Sequence, residues 1–127
     1  MTTRDLTPEQ RRILLEKGTE IPFSRPLYEE KRAGTYYAAD SKKPVFRSEQ
    51  KYASGSGWPS FWAPIDDQAV ILKEDVSHGM KRTEVLSSDG GHLGHVFDDG
   101  PQPTGKRYCI NGDALVFLPD EDTKKPV

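Results

Sequence analysis

Cys109 is the sole cysteine of the chain and lies in the run Arg107-Tyr108-Cys109-Ile110-Asn111. Side chains alternate between the two faces of a β-strand. A strand here therefore puts Arg107, Cys109 and Asn111 on one face and turns Tyr108 and Ile110 toward a core. A guanidinium beside a thiol favours the thiolate, which is the nucleophilic form. A neighbouring carboxamide can hold an oxygen of whatever the thiolate attacks. An isolated thiol also packs well as a small hydrophobe, so a chemical role for Cys109 rests on its surroundings.

Those surroundings are Gly91-His92-Leu93-Gly94-His95-Val96-Phe97-Asp98-Asp99-Gly100-Pro101, joined to the cysteine run through Pro103-Thr104-Gly105. The Asp-Gly-Pro and Pro-Thr-Gly clusters are turn chemistry. They fold the chain back as a hairpin-like neighbour and bring His92 and His95 toward Cys109. A spacing of three puts two imidazoles on opposite faces of a regular strand. A bulge at Gly94 would add one residue, turn both rings to one side and leave Leu93 and Val96 for the core. Two histidines without a third convergent His, Cys or carboxylate make a poor metal site, so no metal is expected. His78 reads as polar surface.

Together with Ser54-Gly55-Ser56-Gly57-Trp58-Pro59-Ser60-Phe61 and Gly79-Met80-Lys81-Arg82-Thr83-Glu84-Val85, these runs resemble the B-type methionine sulfoxide reductases. Those enzymes reduce the R epimer of methionine sulfoxide, and the resemblance extends from about Leu6 to Pro119. It implies that Cys109 is the nucleophile, that His92, His95 and Asn111 surround the sulfoxide oxygen as donors or proton-transfer groups, and that Arg107 supports the thiolate. That division of labour suits the reaction, which needs a sulfur nucleophile and a proton delivered to the departing oxygen. Trp58 matches a tryptophan that forms an apolar wall for the substrate methyl group. Phe97 lines either the pocket or the core, and Trp62 is assigned to core packing.

The chain departs from the family pattern in two functional respects. Many members hold a structural zinc on two Cys-x-x-Cys pairs, whereas the matching segments here, Ala38-Ala39-Asp40-Ser41 and the stretch from Ser87 to Gly91, contain no cysteine. No zinc is expected there, and Tyr36, Tyr37, Val45 and Phe46 are the candidates to compensate in the core. Many members also carry a resolving cysteine where this chain has Ser56. Cys109 should therefore end the first half of the cycle as a sulfenic acid with no second thiol in the chain to condense with. With no bound cofactor, an external thiol such as thioredoxin, or glutathione with glutaredoxin, must complete the cycle. The implied activity is repair of methionine sulfoxide in proteins or peptides. A non-catalytic ligand- or peptide-binding module of the same fold, and a thiol redox sensor, are the alternatives.

The 127 residues suit one domain, residues 1–127, large enough to bury a core without disulfides or metal. Charged residues make up 30% of the chain and the net charge is -2. Residues 1–52 hold eleven basic and eight acidic side chains; residues 53–127, which carry the motifs, hold seven and twelve. A nucleic-acid footprint is thereby disfavoured. The longest apolar run, Ala114 to Leu118, is far below a membrane span, and the N-terminus shows no apolar signal region. A monomer in a reducing cytoplasm is the expectation, which one unpaired cysteine suits.

The elements that must position these residues can be read in the same way. Thr7-Pro8-Glu9-Gln10 offers a cap, a proline at the first helical position and a capping-box glutamine, so a short helix is expected up to Gly18. A second helix is expected from Ser24 to Arg32. Strands are expected near Thr35 to Ala39, Val45 to Arg47, Ala69 to Lys73, Lys81 to Leu86, His92 to Phe97, Lys106 to Asn111 and Ala114 to Leu118. The pattern predicts a mainly β fold with short peripheral N-terminal helices, which the resemblance sharpens to two packed antiparallel sheets.

Overall fold

Buried and half-buried positions alternate along Gly34–Ala38 and Arg107–Ile110, which belong to two different antiparallel sheets. The computed structural model describes residues 6–16, 26–76, 79 and 81–120. Helix α1 (Pro8–Leu14) starts on the expected capping box, with the Gln10 amide donating to Thr7 Oγ1 and the Thr7 amide donating to Gln10 Oε1. It buries Ile13 and Leu14 and ends before Gly18, which lies outside the described residues.

Among the described residues nine strands follow: β1 (Gly34–Ala38), β2 (Pro44–Arg47), β3 (Lys51–Tyr52), β4 (Ser60–Phe61), β5 (Ile71–Asp75), β6 (Arg82–Leu86), β7 (His92–Phe97), β8 (Arg107–Ile110) and β9 (Leu115–Pro119). They form a three-stranded sheet, β2-β1-β9, and a six-stranded sheet, β3-β4-β8-β7-β6-β5. Aromatic side chains join the two. Phe46 stacks on Phe61 at 4.2 Å between ring centroids, Tyr36 meets Phe61 edge-on at 5.1 Å, and Phe46 meets Tyr108 at 6.0 Å. Val85, Leu93 and Ile110 fill the same layer with no exposed surface. One face of the six-stranded sheet is thereby committed to the core, which leaves the other for polar groups.

Three expectations change. The second helix reduces to one 3-10 turn, Pro26–Glu29, within the described part of Ser24 to Arg32. The Glu30 carboxylate ends it by accepting from the backbone amide and guanidinium of Arg32, a contact between residues two apart that a helix does not allow. The strand expected from Ala69 begins at Ile71, because Asp66 accepts from the Gln68 amide through its side chain and from the Ala69 amide through its carbonyl, closing a turn first. Finally, β3 and β4 lie in a stretch rich in Ser, Gly and Pro, and two-residue strands are too short to show alternation.

Candidate active site

Cross-strand pairing sets a row of side chains across the face of the large sheet that points away from the core. Lys73 pairs with Glu84, Glu84 with His95, His95 with Cys109, Cys109 with Ser60, and Ser60 with Tyr52. Directly opposed residues in an antiparallel sheet point to the same face about 5 Å apart. The thiol therefore sits with His95 on one flank and Ser60 on the other. Tyr108 and Ile110 turn into the core as expected, and Cys109 is half-buried.

The expected bulge is present. Gly94 lies opposite Val85 but His92 lies opposite Leu86, so Leu93 is the extra residue. Both the backbone amide of Asn111 (2.9 Å) and its side-chain Nδ2 (3.1 Å) donate to the Leu93 carbonyl and hold the bulge from β8's end. Glycine is required beside it, because a Cβ at position 94 would overlap the Cys109 carbonyl. As a result His92 and His95 face each other, with ring centroids 5.4 Å apart. Leu93 is fully buried and Val96 packs against the core.

Each imidazole is held by a carboxylate that the sequence reading did not single out. His92 Nδ1 lies 2.7 Å from Glu84 Oε2, with both side chains buried, and His95 Nε2 lies 2.8 Å from Asp75 Oδ2. Arg82 stands 3.7 Å beyond Asp75. The rings are thus gripped through opposite nitrogens, which sets the orientation of each. His95 is the more exposed, its side chain 16% accessible against 4% for His92. Asp75 was hidden because the expected strand ended at Lys73, two residues short. Glu84 carried a signal, as a charged residue in the middle of an expected strand.

Arg107 pairs with Phe97 one row along from Cys109. Its guanidinium lies 4.5 Å over the Phe97 ring and donates to both carboxylate oxygens of Asp99, at 2.8 and 3.2 Å. These bonds hold the Asp99 carboxyl below the usual carboxylate range and raise Arg107, to which the charge of Cys109 also contributes. Phe97 is half-buried with its ring 6.4 Å from that of His95, so it belongs to the site side of the sheet.

The loop before β4 reaches the thiol from the other side. Gly55 and Gly57 take positive φ angles of 78° and 93°, conformations that favour glycine. Ser54 Oγ accepts from the Ser56 amide and Ser56 Oγ from the Trp58 amide. These turns bring Ser56 Oγ to 4.0 Å from Cys109 Sγ. Trp58 is half-buried in this loop. A groove of about 430 Å³, lined in part by Tyr52, Ser54, Ser56, Asp99 and Arg107, opens alongside. Trp62, assigned to the core from sequence, is half-buried outside the buried cluster: it tethers loops, its amide donating to Gln50 and its carbonyl accepting from Thr104. His78 lies outside the described residues.

The two segments that match the zinc-binding pairs meet, joined by a hydrogen bond. Ser87 Oγ donates to Asp40 Oδ2 at 2.7 Å and accepts from the Gly91 amide at 3.0 Å, while Asp40 Oδ1 takes the Ser41 amide. One carboxylate with hydroxyls is not a zinc donor set, and among the described residues no group of three or more His, Cys, Asp or Glu side chains is arranged to hold a metal. Tyr36, Val45 and Phe46 are fully buried nearby in sequence, and Tyr37 is half-buried.

The family model described as SelR domain matches residues 6–119. A protein of Leptospira interrogans named peptide methionine sulfoxide reductase MsrB is 56% identical over 90% of this chain and 88% of its own length. Proteins of the same name from Hahella chejuensis and Methanosarcina mazei are 52% and 54% identical, over 96% and 94% of this chain and 89% and 86% of theirs. With nearly the whole described fold inside the match, this chain belongs to the SelR domain family.

Proposed function

We propose that this protein is a peptide methionine sulfoxide reductase that converts the R epimer of methionine sulfoxide, in proteins or peptides, to methionine. The observation that carries the reading is the cross-strand placement of His95 beside Cys109, in a chain that shares 52–56% identity with proteins bearing that name. Arg107 favours the Cys109 thiolate, which attacks the substrate sulfur. A proton reaches the sulfoxide oxygen from the histidine pair, with His95 the better placed because it is the more exposed. Oxygen transfer balances as thiol plus sulfoxide giving sulfenic acid plus methionine. Trp58 supports the substrate methyl group and Phe97 the pocket beside Arg107, while Asn111 acts through the bulge that orients His92.

An external thiol then returns Cys109 to its reduced form. Thioredoxin or a small thiol fits this role, and a reducing compartment such as the cytoplasm suits a monomer working this way. No helix among the described residues is long and apolar enough to cross a membrane. The test is intact-mass analysis of reduced protein exposed to each epimer without reductant. The R epimer should release about one methionine per chain and leave Cys109 one oxygen heavier. Cys109→Ser should do neither. Equal oxidation by both epimers, or turnover by Cys109→Ser, refutes the assignment.

A further inference from the structure

The thiol has proton-bearing groups on both flanks, and the reaction proposed above uses only one of them. On the β4 flank three hydroxyls form a connected chain. Ser54 Oγ lies 2.9 Å from Ser56 Oγ and 2.7 Å from Ser60 Oγ, Ser60 donates to the Trp58 carbonyl at 3.1 Å, and Ser56 Oγ stands 4.0 Å from Cys109 Sγ. Ser60 is only 1% exposed, so its hydroxyl is held in place by partners and not by solvent. Each hydroxyl donates one proton and accepts others, so a chain of them can pass a proton along by rotation. The Ser56–Cys109 separation is wide for a bond to the bare sulfur. An oxygen bonded to that sulfur on this flank would shorten it to a direct O–H···O contact.

We propose that the Ser56 hydroxyl, backed by Ser54 and Ser60, holds the sulfenic acid of Cys109 and protonates its oxygen as an external thiolate attacks. The inference rests on the proposed reaction for the origin of that sulfenic acid. In the step itself the new sulfur–sulfur bond forms as the sulfur–oxygen bond breaks. Sulfenic acid, thiolate and one proton give a mixed disulfide and water, and a second thiol then releases Cys109 and carries away the disulfide. Hydroxide is a poor leaving group, so a donor at the departing oxygen accelerates the step. The histidine flank thus serves sulfoxide reduction and the serine flank serves regeneration, with Ser56 refilled through Ser54 from the groove that both residues line.

Single-turnover kinetics tests this with sulfenic acid prepared in two ways: by R-sulfoxide, and by hydrogen peroxide, which oxidises the thiolate directly. Dithiothreitol is then added and loss of the sulfenic acid is followed by mass and by reagent trapping. Ser56→Ala should slow that loss about tenfold or more after either preparation, a modest share of what a positioned acid supplies. Ser56→Thr, which keeps the hydroxyl, should recover most of the rate. Ser54→Ala should give an intermediate slowing. Unchanged loss in Ser56→Ala, or no recovery in Ser56→Thr, overturns the serine role. If R-sulfoxide fails to oxidise the native protein, the reductase reading fails, while the peroxide arm still decides the role of Ser56.

Discussion

Ser87→Ala is the most quantitative perturbation the structure offers, because Ser87 ties two loops distant in sequence through one side-chain oxygen. The hydroxyl is fully buried, donates to the buried Asp40 carboxylate at 2.7 Å and accepts from the backbone amides of Gly91 and Asp89 at 3.0 and 3.2 Å. A hydrogen bond to a charged group contributes about 1.5–3 kcal/mol, and a buried amide left without an acceptor costs about 1–3 kcal/mol more. Loss of the oxygen should therefore destabilise the fold by about 3 kcal/mol. Unfolding entropy near 2.1 cal/mol/K per residue makes 1 kcal/mol worth about 4 °C at this size, so the melting temperature should fall by roughly 10–12 °C. Urea unfolding at constant m-value and calorimetry give the two numbers independently. Asp40→Asn keeps an acceptor and should cost less than Ser87→Ala. A loss below about 1 kcal/mol in Ser87→Ala would refute the idea that this contact holds the two loops together.

Four further outcomes follow from named contacts. Gly94→Ala places a Cβ on the Cys109 carbonyl, backbone that cannot yield without opening β7 from β8, so urea unfolding should show a loss of about 3 kcal/mol or more. Asp75→Asn removes the carboxylate at His95 Nε2 and should lower kcat about 10–100-fold with KM little changed; an unaltered pH–rate profile would deny Asp75 a positioning role. Trp58→Ala should reduce discrimination between the epimers about tenfold, and an unchanged ratio of kcat/KM values would remove Trp58 from the methyl pocket. Ser56→Cys should form a disulfide with Cys109 after one turnover. The present 4.0 Å separation must close to about 2 Å, which the flanking glycines permit; persistence of the Cys109 sulfenic acid beside a free thiol at position 56 would show that the loop does not close.

What was legible in the sequence is what short-range rules govern. Alternation around Cys109 placed Tyr108 and Ile110 in the core, and the glycine between two histidines announced the bulge that turns them together, because both effects act within a few residues. The partners were not legible. Asp75 meets His95 across twenty residues, Asn111 reaches Leu93 across eighteen and Asp40 meets Ser87 across forty-seven. No local pattern encodes which strand lies beside which. The expected compensation for the absent zinc cysteines pointed to apolar residues, whereas the segments themselves are joined by a buried polar contact. The second helix, expected from Ser24 to Arg32, is within the described residues one 3-10 turn that a local Glu30–Arg32 bridge follows.

The position of Cys109 within the large sheet would let a single sulfur serve both of the half-reactions proposed above. β8 is an inner strand with β7 on one side and β4 on the other, so the backbone of Cys109 is fixed from both edges while its side chain stands on the face turned away from the core. An edge strand would offer one neighbour and one kind of chemistry. Here the two neighbours differ in the property that matters. Imidazoles held by carboxylates on β6 and at the end of β5 line one flank, and the hydroxyl chain around β4 lines the other. Imidazole can change protonation state near neutral pH, which suits delivery of a proton to a sulfoxide. Serine keeps its proton there and can only relay one, which suits holding a sulfenic acid intact until a thiol arrives. Replacing Ser56 by a residue with no proton to give should therefore lengthen the life of the oxidised state without changing which epimer produced it, and that separation of rate from stereochemistry is what distinguishes the two flanks experimentally.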